Sequence, residues 1–279
     1  MKKFSAAILG VIAIFFAGNL IWGKQAAAFS GQANEKLIAD TALRIIHVYV
    51  ALCDNDSQGI IPVVKKAGNG NDPSNNLFWG AANGVKTFFC RSEDWELLDS
   101  SKSISRDILQ RCIWKHRRFN CYLVADAYKG ARIKNCTMNF LMNTSGHLSD
   151  TARFTSNGKK VSLLMENAKL ICYLGHDGFM DFDIQNPPPQ NSAERKDVMI
   201  FASASKLYYK DAILTSGGNP LLWTTNLISP EAYLLKVSID GWLNHESGVE
   251  ICSRAAKAYS DNGKSNYEDA LLLFSTGYY

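Results

Sequence analysis

Three residues stand where an acyl-transfer reaction would want its nucleophile and its base. Cys53 closes an apolar run beginning at Ile45, His176 follows Leu170-Ile171-Cys172-Tyr173-Leu174-Gly175, and Ser203 follows Val198-Met199-Ile200-Phe201-Ala202. A thiol or hydroxyl attacks a carbonyl only when a neighbouring base takes its proton, so a histidine must reach the same place as the serine or cysteine. Polar residues cluster at the same run ends: Asp54, Asn55 and Gln58 after the first, Asp126 and Tyr128 after 121–125, Asp177 beside His176, then Ser205, Thr225 and Asn226. Such residues are ordinary turn formers. Five run ends so equipped also suit a binding crevice, with Asp54, Asn55, Gln58, Asp126, Asp177, Ser205 and Asn226 as its expected substrate-binding groups.

Metal chemistry has less behind it. Asp177, Asp181 and Asp183 beside His176 are hard oxygen ligands, but Phe179, Phe182 and Ile184 between them read as an extended segment. No Cys or His pair has zinc spacing. The stretch 68–76, GNGNDPSNN, has one charge and no EF-hand spacing, and reads as a loop capping a helix at Asn75 or Asn76. No metal and no cofactor is expected.

The elements that must position these residues follow from periodicity. Residues 45–53, 121–125, 170–174 and 198–202, and more weakly 220–224, are short consecutive apolar runs, the pattern of strands covered on both faces. Apolar residues at every third or fourth position predict helices over 76–87, 104–114 and 131–142, with two more near 249–259 and 267–274. Ser229-Pro230-Glu231 before 232–243 reads as a capped helix start. Strand and helix in alternation predict a three-layer α/β/α sandwich with a mainly parallel sheet. In such a sheet ligands bind outside the carboxyl ends of the strands.

The pair of motifs LICYLGHDG and VMIFASAS resembles the signature of the caspase, gingipain and separase type of cysteine peptidases, in which one apolar strand ends in His-Gly and the next in Ala-Cys. The resemblance spans roughly 45–225 and implies a caspase-like fold, with His176 as general base and Ser203, 27 residues on, at the nucleophile position. Serine replaces the family's cysteine, and Asp177 separates His176 from the glycine that should follow it. Cys53, ending the strand beside the histidine strand, is the alternative nucleophile. The resemblance therefore implies a hydrolase, or a degenerate pseudo-peptidase relative, that acts on or binds a peptide or acyl substrate. A function of another class fits the same residues: a non-catalytic cell-envelope binding protein for a small polar ligand or a partner chain.

Met1-Lys2-Lys3, an apolar run from Phe4 to Trp22 and Gln25-Ala26-Ala27-Ala28 have the three parts of a secretory signal over 1–28, with an uncleaved membrane anchor as the rival reading. The remainder, 29–279, is expected to be a single domain, periplasmic or secreted from a bacterium, touching membrane only through that segment if it is retained. Seven cysteines make an odd count, so at least one thiol stays unpaired or bonds another molecule. Setting aside Lys2, Lys3 and Lys24 leaves 27 basic against 26 acidic residues of the 30 and 26 in the whole chain. With one basic cluster, Lys115, Arg117 and Arg118, nucleic acid is excluded as an expected partner.

Overall fold

Burial on both faces explains why the first strand is apolar without alternation. In the computed structural model, which describes residues 42–156 and 158–279, every residue of β1 (Arg44–Ala51) is buried. The signal or anchor expected over 1–28 lies outside the described residues. The folded unit is Leu43–Tyr279. After β1 come α1 (Val85–Arg91), β2 (Trp95–Lys102), β3 (Ile108–His116), β4 (Cys121–Tyr128) and α2 (Ile133–Ser145). A hairpin of β5 (Thr151–Ser156) and β6 (Lys159–Leu164) precedes β7 (Leu170–Leu174), β8 (Asp197–Phe201) and α3 (Ser205–Thr215). The chain ends with β9 (Asn219–Thr224), α4 (Ala232–Leu243), α5 (Gly248–Asp261), α6 (Tyr267–Leu273) and β10 (Phe274–Ser275).

Eight strands form one sheet in the order β10-β9-β8-β7-β1-β4-β3-β2. The pairs β4/β1, β1/β7, β7/β8 and β8/β9 are parallel, while β2, β3 and β10 run antiparallel at the margins. One face carries Ile46, Val48, Val50 and Leu52 against α1, α4 and α5; the other carries Ile45, Tyr49 and Ala51 against α2 and α3. These are the three expected layers. The parallel strands β4, β1, β7, β8 and β9 take the order 2-1-3-4-5, which reverses direction between β1 and β7. Ligands of open α/β sheets bind outside the carboxyl ends of the strands at such a switch point.

Some expected elements differ. The segment 104–114, read as a helix, contains most of β3, because Gln110, Cys112 and Trp114 alternate with Arg111 and Ile113 and suit a strand paired on both sides. Over 76–87 turns replace most of the helix, and α1 begins only at Val85. Gly80 packs so closely that a side chain there would come within 2.1 Å of the Ser74 carbonyl oxygen. Asn76 caps no helix but clamps the main chain of Cys53, accepting from its N–H at 3.0 Å and donating to its carbonyl at 2.8 Å. Ser229 does not cap α4: the Ala232 N–H donates to the Asn83 carbonyl instead.

Candidate functional site

Leu174 pairs with Phe201 at the last register position of β7 and β8, so His176 and Ser203 each lie two residues beyond it. The chain turns at Gly175, whose φ of +152° suits glycine, and where a Cβ would lie 2.8 Å from the Ala51 carbonyl oxygen. The His176 carbonyl accepts from the Tyr173 hydroxyl at 2.8 Å. Its imidazole Nε2 meets Asp181 Oδ2 at 2.8 Å, and the same oxygen accepts the Gly59 N–H at 3.0 Å. A carboxylate thus orients the histidine from within its own loop, while the loop after β1 holds the carboxylate. Asp177 is fully buried and caps the short turn that carries Asp181, accepting the Phe179 N–H at 2.9 Å. Burial raises its carboxyl to about 7, assisted by the negative charge of Asp181.

Ser203 precedes Ala204, a non-glycine residue with φ 51° and ψ 30°, at the sharp turn from β8 into α3. That left-handed conformation costs about 1–2 kcal/mol, and the Ala204 N–H is held by the Asn226 carbonyl at 2.9 Å. The Ser203 hydroxyl does not bond His176. It accepts the Ile228 N–H at 3.2 Å and faces the Ile228 carbonyl at 3.4 Å. Cys53 is buried, and burial followed by the neighbouring Asp54 charge pushes its thiol up to about 11. It borders a cavity of about 370 Å³ with Ile60, Leu77, Phe78, Ile228 and Pro230. The turn from Cys53 to Ile60 therefore touches the cavity at both ends and reaches Asp181 through Gly59.

The polar residues expected to bind substrate fall into two groups. Asp54, Asn55 and Gln58 hold their own turn. Asp54 Oδ1 accepts the Asp56 N–H at 3.0 Å, and the side chain packs where a Cβ on Gly70 or Gly130 would come within 2.3 or 2.2 Å. Asn55 bonds both main-chain groups of Val63, and Gln58 donates to the carbonyls of Leu52 and Gly130. Asn226 is exposed in the loop after β9, its Oδ1 accepting the Leu227 N–H at 2.8 Å. Ser205 is buried and ties α3 to the sheet through the Ile200 carbonyl and the Thr224 N–H. Asp126 does not follow its strand, as expected, but lies inside β4, which continues to Tyr128.

Asp126 instead joins a buried network that the sequence reading did not assemble. Arg111 grips it with Nε at 2.6 Å and a second nitrogen at 2.7 Å, the latter also donating to Asp150 at 2.6 Å. His47 Nε2 meets the same carboxylate at 3.0 Å, and its Nδ1 meets Asn143 Nδ2 at 2.9 Å. Asn143 also accepts from Lys196 at 2.9 Å. Because Asn143 can only donate from that nitrogen, His47 Nδ1 is the acceptor and Nε2 carries the proton toward Asp126. Burial would raise the Asp126 carboxyl, but Arg111 and His47 outweigh it and hold it at about 2. The signal was present in His47 alone, a polar residue inside the buried run 45–53 that requires a partner, whereas Arg111 lay in a segment read as a helix.

The fold is a doubly wound α/β sandwich with a histidine–carboxylate pair at its switch point. No family model, no curated protein and no solved structure matches the chain.

Proposed function

We propose that the protein is an exported, degenerate relative of the caspase-like hydrolases, whose crevice binds a peptide or acyl group without turning it over. Kinship is supported by the adjacency of β1, β7 and β8 and by the equal standing of His176 and Ser203 beyond β7 and β8. Loss of turnover rests on one observation: the hydroxyl at the nucleophile position is engaged by the main chain of Ile228 rather than by His176. Cys53 offers no replacement, since a thiol titrating at about 11 is about one part in ten thousand thiolate at pH 7. His176, by contrast, keeps an orienting carboxylate in Asp181, as a general base requires. The rival reading, a binding protein for a small polar ligand or a partner chain, relies on Asp54, Asn55, Gln58 and Asn226, of which the first three are occupied in holding the loop after β1 and Asn226 alone is exposed.

A peptidase and esterase screen of the full chain tests the reading. Wild type and Cys53→Ala are expected to be inactive, and Ser203→Cys to gain turnover that the added change His176→Ala abolishes. Wild-type turnover lost in Ser203→Ala would overturn the degenerate reading and make Ser203 a working nucleophile. Turnover lost in Cys53→Ala would move the chemistry to β1.

A further inference from the structure

We propose that the cavity beside Cys53 selects a large, uncharged, apolar side chain of a bound peptide; this rests on the peptide-binding reading above and names its substrate class. The cavity, about 370 Å³, is at the small end of ligand pockets, the size for one or two side chains rather than a whole peptide. Its walls are Ile60, Val63, Leu77, Phe78, Ile228 and Pro230, carried by the loop after β1, the turns before α1 and the loop between β9 and α4. Two charged residues border it, Glu231 and Lys264, and they neutralise each other at 3.1 Å. Glu231 is held further by Asn83, whose Nδ2 donates to it at 3.1 Å. A charged side chain entering the cavity would lose its water and find both local charges already paired, whereas an aliphatic or aromatic one would lose nothing.

The mouth has the same chemistry as the walls. Ile61, 89% exposed, lines the cavity, and Leu227, 67% exposed, adjoins Ile228. The Ile228 main chain holds Ser203, so the cavity opens next to the nucleophile position. A peptide anchored there by one apolar residue would therefore pass its adjoining amide beside Ser203. An apolar occupant would bury its surface against Cys53 and these walls, which is favourable in proportion to the area removed from water.

The test measures fluorescence polarisation of labelled hexapeptides built from Gly, Ala and Ser, with Leu, Phe, Asp or Lys at the fourth position, on the full chain. Leu and Phe peptides are expected to bind at least tenfold more tightly than Asp and Lys peptides. Ile61→Glu, an exposed position where folding is not at stake, should weaken them at least tenfold, while Val64→Glu, exposed but off the cavity, should leave them unchanged. Equal binding of the Asp or Lys peptide, or indifference to Ile61→Glu, would overturn the selectivity and leave the peptide-binding reading standing. Absence of binding by all four peptides would overturn both.

Discussion

Replacing Asp177 by asparagine should stabilise the protein, and only at pH values well above the carboxyl's ordinary 3.8. The carboxyl is fully buried, with one oxygen bonded to the Phe179 N–H and the other, Oδ2, without a hydrogen-bond partner. Burial first, and then Asp181, raises it from the ordinary 3.8 to about 7, so the folded protein keeps a proton that the unfolded chain releases. Stability from this group is therefore present below pH 3.8 and is lost as pH rises through about 7. The gap corresponds to about 4 kcal/mol at most. Asparagine keeps the acceptor for Phe179 and carries no charge, but both of its N–H groups lack a partner, one more orphaned donor than the protonated acid has, which takes back about 1–2 kcal/mol. Urea unfolding of both proteins from pH 4 to pH 8 should show Asp177→Asn ahead by about 2–3 kcal/mol at pH 8, which in a domain of this size is a melting temperature higher by roughly 4–12 °C. At pH 4 the variant should gain nothing. A pH-independent difference, or a variant less stable at pH 8, would refute a protonated Asp177 in the folded state.

Arg111→Met should destabilise the protein by about 3–5 kcal/mol at pH 7, because it leaves Asp126 charged and buried without its main partner; a loss under 1 kcal/mol in urea unfolding would show that the network reorganises. Ala204→Gly should raise stability by about 1 kcal/mol in the same assay by relieving the left-handed turn before α3, and a loss would mean that the Ala204 side chain contributes packing that outweighs the strain. Among the cysteines of the described residues, Cys90 alone is exposed, so a thiol reagent on the reduced native protein should modify Cys90 in a fast phase. Fast modification of Cys112, Cys121, Cys136 or Cys172, identified by mass spectrometry, would contradict their burial.

Legibility in the sequence followed how many faces of an element are buried. The runs at 170–174 and 198–202 emerged as β7 and β8 nearly residue for residue because strands covered on both sides tolerate no polar alternation, and α4 emerged at 232–243 behind Ser229-Pro230-Glu231, although Ser229 does not cap it. β3 was misread because Ile108, Leu109, Cys112, Ile113 and Trp114 satisfy a helical spacing as readily as a strand pairing, and the deciding information, β4 on one side and β2 on the other, is not local. α3 and the β5–β6 hairpin went unread: α3 carries Leu207 and Leu214 exposed on the face opposite Tyr209 and Ile213, which blurs its period.

The candidate site divided along a similar line. His176 and Ser203 were legible because each directly extends a legible strand, and parallel register carries both beyond the same edge. Asp181 was visible only as a conceivable metal ligand, since its role depends on a five-residue turn folding it back onto His176 and on Gly59 arriving from another loop. The fate of Ser203 was less legible still. Under the proposed resemblance Ser203 is read as a weakened nucleophile from its chemistry, but which group its hydroxyl meets depends on where the loop after β9 returns. That loop returns Ile228 to the hydroxyl, and the same residue forms a wall of the apolar cavity. One segment, 225–231, therefore both holds the Ser203 hydroxyl and supplies one of the three stretches that wall the cavity beside Cys53. Under the proposed peptide-binding reading, an occupant of that cavity that displaced Ile228 would free Ser203, so the state of the hydroxyl would depend on that segment rather than on His176.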